Sequence, residues 1–337
     1  MNILVIGGSG FIGRATVACL LAAGHAVTVL HRGRQPAPLP AAVRTLIADR
    51  DALPAQRGVL RRLRPDVVID AYAMTAQHAR DLVEVFDGHA GRLLLIGSAD
   101  VYRNYDGLRR RSEHRPDPPP LAEDAPLRER LYPYRGQAGI AVPYRDDYDK
   151  IPVERTAAGA ADLPLTLLRL PLVYGPGDHQ RLLWPYLQRM RDGRPRILLG
   201  ARQALWRFTR GYIENVAAAV ALAATDARAA SGTYNLGEAR TPTEIERIRA
   251  LGAAAGWTGE PCSVPEPALP PPLRLPLNFD YSLWTDTARL RRELGFCEPV
   301  DETTALTRTV EWELAHPLPG PPIDYAAEDA ALADAGG

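Results

Sequence analysis

Three glycines near the start of the chain have the spacing of a phosphate-binding loop. Gly7, Gly10 and Gly13 follow the apolar run NILVI and precede RATVACLLAAG, whose alanines and leucines predict a helix. Gly7 permits a tight turn, Gly10 lets backbone N–H groups approach a pyrophosphate, and Gly13 lets the helix pack closely. Because the glycines lie between a predicted strand and a predicted helix, they indicate a dinucleotide site that includes Phe11 and Ile12.

The end of the next predicted strand, AVTVL over residues 26–30, indicates which dinucleotide is bound. An NAD site usually has a carboxylate here that accepts from the ribose 2′-hydroxyl. This chain instead reads LHRGR, with His31, Arg32 and Arg34 and no acid. Guanidinium groups match a 2′-phosphate, so we expect NADP(H) in preference to NAD(H). A solvated basic turn is the alternative explanation.

Lys150 is the only lysine among the 40 lysine and arginine residues of the chain. It lies in VPYRDDYDKIPVE, which also contains Tyr144 and Tyr148. Proline is tolerated only in the first turn of a helix, so Pro152 predicts a helix that begins near Asp149 as its N-cap. Tyr148 would then precede the helix, and helical spacing would not dictate where its phenol points.

The elements that must position these residues alternate between strands and helices. After the first two strands come DVVIDAYA (66–73), a helix over 76–88, RLLLIGS (92–98) and LTLLRLPLVYG (165–175). This alternation predicts an α/β fold of the Rossmann type, a doubly wound parallel sheet with a smaller C-terminal substrate-binding α/β lobe. Residues 99–143 form a polar, Pro- and Arg-rich insertion that is long enough to be a lid or binding loop.

The same pattern predicts the domain boundaries. Residues 1–175 form the NADP-binding Rossmann domain, with the insertion 99–143, and about 211–237 complete it. Residues 176–210 and 238–317 form the substrate-binding lobe. The acidic, Pro- and Gly-rich residues 318–337 are expected to be a peripheral tail.

Composition excludes several classes of protein. The net charge is zero and the pI about 7.1, so no global attraction to nucleic acid or to an anionic membrane is expected. No apolar run reaches the roughly 20 residues of a membrane helix. The three cysteines are far apart and lack metal-ligand spacing. We therefore expect a cytoplasmic protein with a small-molecule substrate and no metal.

The motifs together resemble those of the extended short-chain dehydrogenase/reductase family, the NAD(P)-dependent epimerase/dehydratase group, from Met1 to about Pro317. GGSGFIG is similar to the opening glycine motif, and GSADVY (97–102) resembles the signature of the fifth strand. LRLPLVYGPGD (168–178) is similar to the motif near the nicotinamide. DTARLRRELGF (286–296) resembles the C-terminal helix signature.

The resemblance implies further cofactor contacts. Asp49, followed by Arg50 in IADRD, occupies the place where such proteins hold the adenine amino group. The segment after the fourth strand, with Ala71, Tyr72 and Ala73, lies against the cofactor in the family. Residues near the nicotinamide would be Leu170 and Val173.

The resemblance also implies a reactive centre. In the family a lysine binds the ribose hydroxyls and lowers the pKa of a tyrosine four residues before it. Lys150 and the catalytic Ser98 match by position, but Asp146 stands where that tyrosine is expected. Asp146 can form a salt bridge but cannot supply a phenol. Tyr148 is the best substitute. The alternatives are another tyrosine or a mechanism in which the substrate or water supplies the proton; the other tyrosines are Tyr132, Tyr134 and Tyr144.

Substrate contacts are expected from Tyr102, Tyr144, Trp206 and Arg210. Nucleotide-sugar enzymes of the family commonly have an asparagine at the position of Leu172. Its absence favours an NADP(H)-dependent ketoreductase that acts on a secondary metabolite. The alternatives are a nucleotide-sugar epimerase or dehydratase with tightly bound NAD(P), and a non-catalytic NADP-binding sensor or scaffold. The family also suggests a homodimer.

Overall fold

The computed structural model describes residues 1–33, 39–137, 139 and 141–335. Within these ranges the strands, numbered in chain order, are β1 (Asn2–Ile6), β2 (Ala26–His31), β3 (Arg44–Ile47), β4 (Val67–Asp70), β5 (Leu93–Ser98), β6 (Leu165–Leu170), β7 (Leu172–Tyr174), β8 (Arg196–Gly200), β9 (Arg210–Tyr212), β10 (Thr233–Asn235) and β11 (Glu260–Val264).

The helices, numbered in the same way, are α1 (Phe11–Ala22), α2 (Arg57–Arg62), α3 (Ala76–Phe86), α4 (Asn104–Leu108), α5 (Lys150–Ala157), α6 (Trp184–Arg191), α7 (Ala201–Leu205), α8 (Ile213–Thr225), α9 (Glu244–Ala254), α10 (Ala288–Leu294), α11 (Glu302–Ala315) and α12 (Ala326–Ala335). In the described part of the chain, no helix combines the length and the apolar character needed to cross a membrane.

The central sheet confirms the predicted Rossmann-type fold. Its seven strands lie in the order β10-β6-β5-β4-β1-β2-β3, and every pair is parallel. The chain order reverses at β1, which pairs with β2 on one side and β4 on the other. Ligands of open parallel sheets bind beyond the carboxyl ends of the strands at such a switch point. The glycine loop follows β1 directly and therefore lies there.

The strands are buried on both faces, as the continuous apolar runs predict. In β1, Ile3 and Val5 pack into the core that contains α1 and α8, whereas Leu4 and Ile6 face the core that contains α3. All four side chains are at most 1% exposed. Burial of each stabilises the fold by about 1.5–3 kcal/mol, which fixes the strand end that carries the glycine loop.

The run LTLLRLPLVYG is two strands rather than one. Proline has no backbone N–H for a ladder, and Pro171 separates β6 in the central sheet from β7, which pairs with β9. The insertion packs on the second lobe: Tyr102 and Leu108 share an apolar cluster with Trp206 and Leu283. The turn of the chain at Pro171 and the packed insertion together enclose a space beside the ends of β5 and β6.

The C-terminal residues differ from the expected peripheral tail, because residues 326–335 form α12 and dock on the second lobe. Glu328 forms a buried ion pair with Arg189 at 2.6 Å. Ala331 packs with Leu198 and Val264, which belong to the pair β8 and β11. The acidic residues that suggested a peripheral tail are here the partners of arginines that lie far away in the sequence.

Candidate functional site

The glycine loop has the conformation that its spacing predicts. Gly7 has φ +79°, a left-handed conformation that suits glycine, and its carbonyl accepts from the N–H of Gly10 at 3.1 Å. A Cβ on Gly13 would lie 2.3 Å from the Gly7 oxygen, so only glycine fits there. α1 begins at Phe11 and Ile12 with no side-chain cap at Gly10. Its first N–H groups therefore face an open cradle that suits a phosphate.

A small cavity of about 120 Å³ continues from this loop to the segment after β3. Asp49 lines it and accepts from the N–H of Asp51 at 3.1 Å. Arg50 also lines it, but its guanidinium is buried against Asp70 at 2.8 Å and donates to the backbone oxygen of His78. Arg50 therefore braces the cleft through Asp70, whereas Asp49 is exposed in the wall of the cavity.

The basic turn after β2 lies at the same cavity. His31 and Arg32 both line it, and Arg32 is exposed. The Nδ1 atom of His31 accepts from the N–H of Gly33 at 2.9 Å, which holds the turn. Arg34 lies outside the described residues. Among the described residues that line this cavity, Arg32 is the arginine that is exposed, so its head group is accessible to a phosphate.

Lys150 is the first residue of α5, and the N-cap is Asp149, whose side chain accepts from the N–H of Ile151 at 2.9 Å. The predicted helix start is confirmed. The Lys150 Nζ is buried and donates to the backbone oxygens of Ala73 at 2.7 Å and Ile96 at 3.1 Å. An ammonium has three N–H donors, and the described residues accept from two of them. Burial is the main cause that lowers the pKa of Lys150.

The segment that links β4 to this lysine lies against the glycine loop. A Cβ on Gly7 would meet Ala71 and Tyr72, and Tyr72 also lines the small cavity. The N–H of Tyr72 donates to Asp70 at 2.7 Å, and Ala73 supplies the carbonyl that holds Lys150. The loop after β4 therefore joins the nucleotide cleft to the candidate reactive centre, as the resemblance implies.

The phenol of Tyr148 precedes α5 and points toward β5. Its hydroxyl donates to Asp100 Oδ2 at 2.8 Å, and the Lys150 Nζ lies 6.0 Å from the centre of its ring. Ser98 ends β5, and its Oγ accepts from the N–H of Asp100 at 3.2 Å. Burial and then the negative charge of Asp100 raise the pKa of Tyr148 well above its ordinary value. The phenol is therefore held in its protonated form.

Ser98 and Tyr148 line a second, larger cavity of about 490 Å³ between the central sheet and the second lobe. One wall is apolar and aromatic, and its residues include Leu108, Leu170, Leu172, Trp206, Phe208, Leu275, Leu277 and Phe279. The other wall is polar, and its residues include Arg109, Tyr186, Gln203, Arg210 and Glu244. This cavity has the size and character of a site for a small organic molecule.

Arg210 lies in the polar wall, but its charge is already paired. Its Nη2 donates to both oxygens of Glu244, at 3.0 and 2.8 Å, and both side chains are buried. The hydroxyl of Tyr186 donates to the same carboxylate at 3.1 Å. The pair therefore presents a largely neutral surface to the cavity.

A comparison of the sequence with models of protein families shows the family to which the chain belongs. The model of the NAD dependent epimerase/dehydratase family matches residues 3–120 and 148–237, which include the glycine loop, Ser98, Tyr148 and Lys150. The chain belongs to the NAD dependent epimerase/dehydratase family.

Two curated proteins that are similar to this chain in sequence have names that describe them as reductases. A 2′-dehydrokanamycin reductase of Streptomyces kanamyceticus is 36% identical over 100 residues, 29% of this chain and 28% of that protein. A 3-diazoavenalumate denitrifying reductase of a Streptomyces species is 32% identical over 195 residues, 52% of this chain and 58% of that protein. The matches span less than two thirds of either relative.

Solved structures of the family share the fold. A UDP-glucose 4-epimerase of Thermus thermophilus, solved with NAD, has a TM-score of 0.64 and 23% identity, with 94% of this chain and 100% of that chain covered. At this identity the likeness concerns the fold. The description of the family as NAD dependent is what supports a nicotinamide dinucleotide as the cofactor.

Asp146, at the family's tyrosine position, lies away from the reactive centre. Its side chain is exposed, accepts from the N–H of Gly136 at 3.0 Å and pairs with Arg145 at 3.3 Å. That hydrogen bond from Arg145 is the main cause that lowers the pKa of Asp146. Because the helix begins only at Lys150, the two residues do not share a helical face. The structure therefore shows Asp146 in the exposed salt bridge that the sequence allows, with Arg145 as its partner, and gives no contact that supports its inclusion among the candidate catalytic residues.

Tyr144 lies at the nucleotide end of the cleft rather than in the substrate cavity. Its hydroxyl donates to Asp51 at 2.8 Å, and its ring packs edge-on against His78 and Tyr72, at 4.8 and 6.2 Å. Burial is the main cause that raises the pKa of Tyr144 to about 12. The expectation of a substrate contact is corrected to a contact with the nucleotide cleft.

Two other expectations need the same kind of correction. Tyr102 is fully buried, and its hydroxyl donates to Asn235 at 2.6 Å and accepts from Arg169 at 3.1 Å. These hydrogen bonds connect the start of the insertion to the central sheet. Tyr102 is not among the residues that line the cavity. Val173 is buried in the core beside Tyr174 rather than at the cleft. The residues that line the cavity from this part of the chain are Leu170, Pro171 and Leu172.

The alternative phenols of the insertion lie in different places. The hydroxyl of Tyr134 is 2.5 Å from that of Tyr105, and its ring lies 5.3 Å from the ring of Tyr148. Burial raises the pKa of Tyr134 strongly. Tyr132 stacks under the guanidinium of Arg135, 3.8 Å away, outside the cavity. Tyr134 therefore lines the cavity beside Tyr148, whereas Tyr132 is not among the residues that line it.

Sequence reasoning missed two residues of the site. Asp100 stands two positions after Ser98 in the quoted GSADVY, but nothing in the sequence pairs it with Tyr148, 48 positions later. Glu244 opens α9, and its contact with Arg210 joins positions 34 residues apart. The available signal for Asp100 was an acidic residue within the motif that follows a predicted buried strand.

Proposed function

We propose that the protein is an NADP(H)-dependent ketoreductase, which transfers a hydride to or from a carbonyl or carbinol carbon of a small secondary metabolite. The observation that carries the proposal is the grouping of Ser98, Tyr148 and Lys150 at the carboxyl ends of β4 and β5, with Ser98 and Tyr148 in the wall of the larger cavity. Serine, tyrosine and lysine together can polarise a carbonyl and move one proton.

The residues of the cleft fit the cofactor in defined roles. The glycine loop would hold the pyrophosphate, Arg32 the 2′-phosphate, Asp49 the adenine, and Lys150 the nicotinamide ribose. When bound, the dinucleotide supplies a hydride for reduction or accepts one for oxidation. Ser98 would donate a hydrogen bond to the reacting oxygen, and Tyr148 would exchange a proton with it.

The larger cavity supports a small ketone over a nucleotide sugar. A diphosphate is best held by several unpaired cations, but Arg210 is neutralised by Glu244, which leaves Arg109 as the other arginine of the polar wall. Leu172 lines the cavity where nucleotide-sugar enzymes commonly have an asparagine. The aromatic wall of Trp206, Phe208 and Phe279 suits a ring system instead. The reductase names of the two curated relatives point in the same direction.

Titration of the protein with NADPH and with NADH tests the cofactor. We expect NADPH to bind at least about tenfold more tightly, because a phosphate–guanidinium contact is a charge-assisted pair. Arg32→Ala should remove this preference and leave NADH affinity unchanged. Arg249→Ala, which removes an exposed guanidinium on α9, is the matched control and should keep the preference. Equal binding of both nucleotides by the wild type would reject NADP(H) specificity.

A screen of small cyclic and aromatic ketones with NADPH tests the reaction. Tyr148→Phe should lower turnover by about 100-fold or more without weakening NADPH binding, because it removes the proton donor alone. Tyr102→Phe is the control, since Tyr102 does not line the cavity. A wild type that binds NADPH but reduces no ketone would favour the sensor or scaffold instead.

A further inference from the structure

Asp100 is a buried carboxyl at the end of β5 that lines the larger cavity. Its Oδ2 atom accepts from the hydroxyl of Tyr148 at 2.8 Å, whereas its Oδ1 atom is buried and has no hydrogen-bond partner among the residues that the structure describes. An ionised carboxylate with an unpaired buried oxygen is costly, and a native structure that keeps one needs a reason. A neutral carboxylic acid at this place avoids most of that cost.

The groups around Asp100 have opposing charges. Arg128, which donates to the backbone oxygen of Asp100, and Lys150 favour the ionised form. Asp149, beside them at the start of α5, opposes it, as does Glu154 on the next turn. The phenols of Tyr134 and Tyr105 complete the surroundings. Burial outweighs the cations and raises the pKa of Asp100.

The protonation state of Asp100 decides where the O–H of Tyr148 points. If Asp100 is ionised, the phenol donates to Asp100 and offers only lone pairs to the cavity. If Asp100 is protonated, its own O–H can donate to the Tyr148 oxygen across the same 2.8 Å contact. The O–H of Tyr148 is then free to point at a ligand in the cavity.

We propose that Asp100 is a proton-relay residue that donates to the Tyr148 oxygen, directs the phenol toward the cavity and replaces the proton that Tyr148 gives to the substrate. The inference rests on the proposed reductase function. It explains how Tyr148 can act although it lacks the family's position four residues before the lysine.

The relay balances for reduction of a ketone. The carbonyl carbon would gain a hydride, with its two electrons, which a bound reduced nicotinamide would supply, and the C=O π bond would break. The carbonyl oxygen takes the proton of Tyr148, and Tyr148 takes the proton of Asp100. Asp100 is left as a carboxylate beside Arg128 and Lys150, and water reprotonates it. For oxidation of the alcohol each transfer runs in reverse.

The relay predicts the sign of the pH dependence. Reduction requires protonated Asp100, so its kcat/KM is full below the pKa of Asp100 and falls as the pH rises through it. Oxidation requires the carboxylate and shows the opposite dependence. Because burial raises this pKa, the change lies above the range of an ordinary aspartate.

Asp100→Asn tests the relay, because an amide keeps the shape but cannot pass a proton. We expect the rate of ketone reduction to fall about 100-fold, the fall with rising pH to disappear, and NADPH affinity to stay within about twofold. Asp106→Asn is the matched control, since Asp106 is also a buried acid with an unpaired oxygen but lies on α4 outside the cavity wall. It should keep both the rate and the pH profile.

A titration of the protein without cofactor gives a readout that does not need turnover. The ultraviolet absorbance of phenolate, with Tyr148→Phe subtracted, follows the ionisation of Tyr148. At the alkaline pH at which the phenol titrates, Asp100 is a carboxylate, so Asp100→Asn should lower the pKa of Tyr148 by removing that negative charge. An identical Tyr148 titration in wild type and Asp100→Asn would overturn the relay, as would an Asp100→Asn enzyme with the wild-type rate and pH profile. Failure of the proposed function looks different: wild type and Asp106→Asn would then both lack ketone turnover.

Discussion

Lys150 shows why one lysine is kept in a chain whose other 39 basic side chains are arginines. Its ammonium fits between the carbonyls of Ala73 and Ile96, and its side chain is buried. A planar guanidinium is larger and cannot aim three donors in these directions. At this scale the sequence predicted Ser98, Tyr148 and Lys150, whose neighbours in the chain mark them. The sequence did not predict contacts such as that of Tyr148 with Asp100, because these residues are far apart in the chain and no local pattern connects them.

Replacement of Lys150 tests this role. Lys150→Arg should weaken NADPH binding by at least about tenfold, and overpacking should lower the free energy of unfolding by about 1–3 kcal/mol. Lys150→Met keeps the volume and removes the charge, so it should weaken binding without the overpacking cost. NADPH titration and urea unfolding measure the two effects. If both variants bind NADPH as the wild type does, Lys150 does not contact the cofactor.

At the scale of elements, proline and capping residues gave the most reliable signals. Pro152 and Asp149 predicted the start of α5, and the structure confirms it. The edge strand β3 was not predicted, because its residues are mostly exposed and RTLI lacks a clear apolar alternation. The break at Pro171 was also missed, since the apolar run continues on both sides of it and only the pairing partner changes.

Asp149 contacts three separate parts of the chain, so we expect its replacement to lower the free energy of unfolding strongly. It caps α5, accepts from the N–H of Tyr132 at 2.7 Å and forms an ion pair with Arg128 in which both side chains are fully buried. Asp149→Ala leaves that guanidinium without its partner and should lower the free energy of unfolding by about 3–5 kcal/mol. Urea unfolding measures the change.

Asp146→Ala is the matched control for this variant. Asp146 lies three residues earlier and pairs with Arg145 in solvent. Its removal should change the free energy of unfolding by less than about 0.5 kcal/mol. Equal effects of the two substitutions would contradict the difference in burial on which the expectation depends.

At the scale of the whole molecule, the parallel sheet, the glycine loop and the two lobes follow from local patterns that repeat along the chain. The packing of distant segments does not. The insertion reaches the second lobe through Asn104, which donates to the backbone oxygen of Ser282, 178 residues away. α12 pairs with arginines that are 135 to 139 residues earlier. The sequence of an acidic, Pro- and Gly-rich segment is the same whether its carboxylates are solvated or pair with distant arginines. The docking of α12 could therefore not be predicted from it.

The docking of α12 gives a prediction at this scale. Glu328→Gln removes the partner of a buried guanidinium, Arg189, whereas Asp329→Asn on the same helix removes the more exposed partner of Arg194. Glu328→Gln should therefore open α12 locally and speed its amide hydrogen exchange by about 100-fold, which corresponds to about 2.7 kcal/mol. Asp329→Asn should change exchange by less than about fivefold. NADPH affinity should not change in either variant, because α12 lies on the second lobe away from the glycine loop. Equal exchange of α12 in both variants would show that the ion pair of Glu328 does not hold the helix.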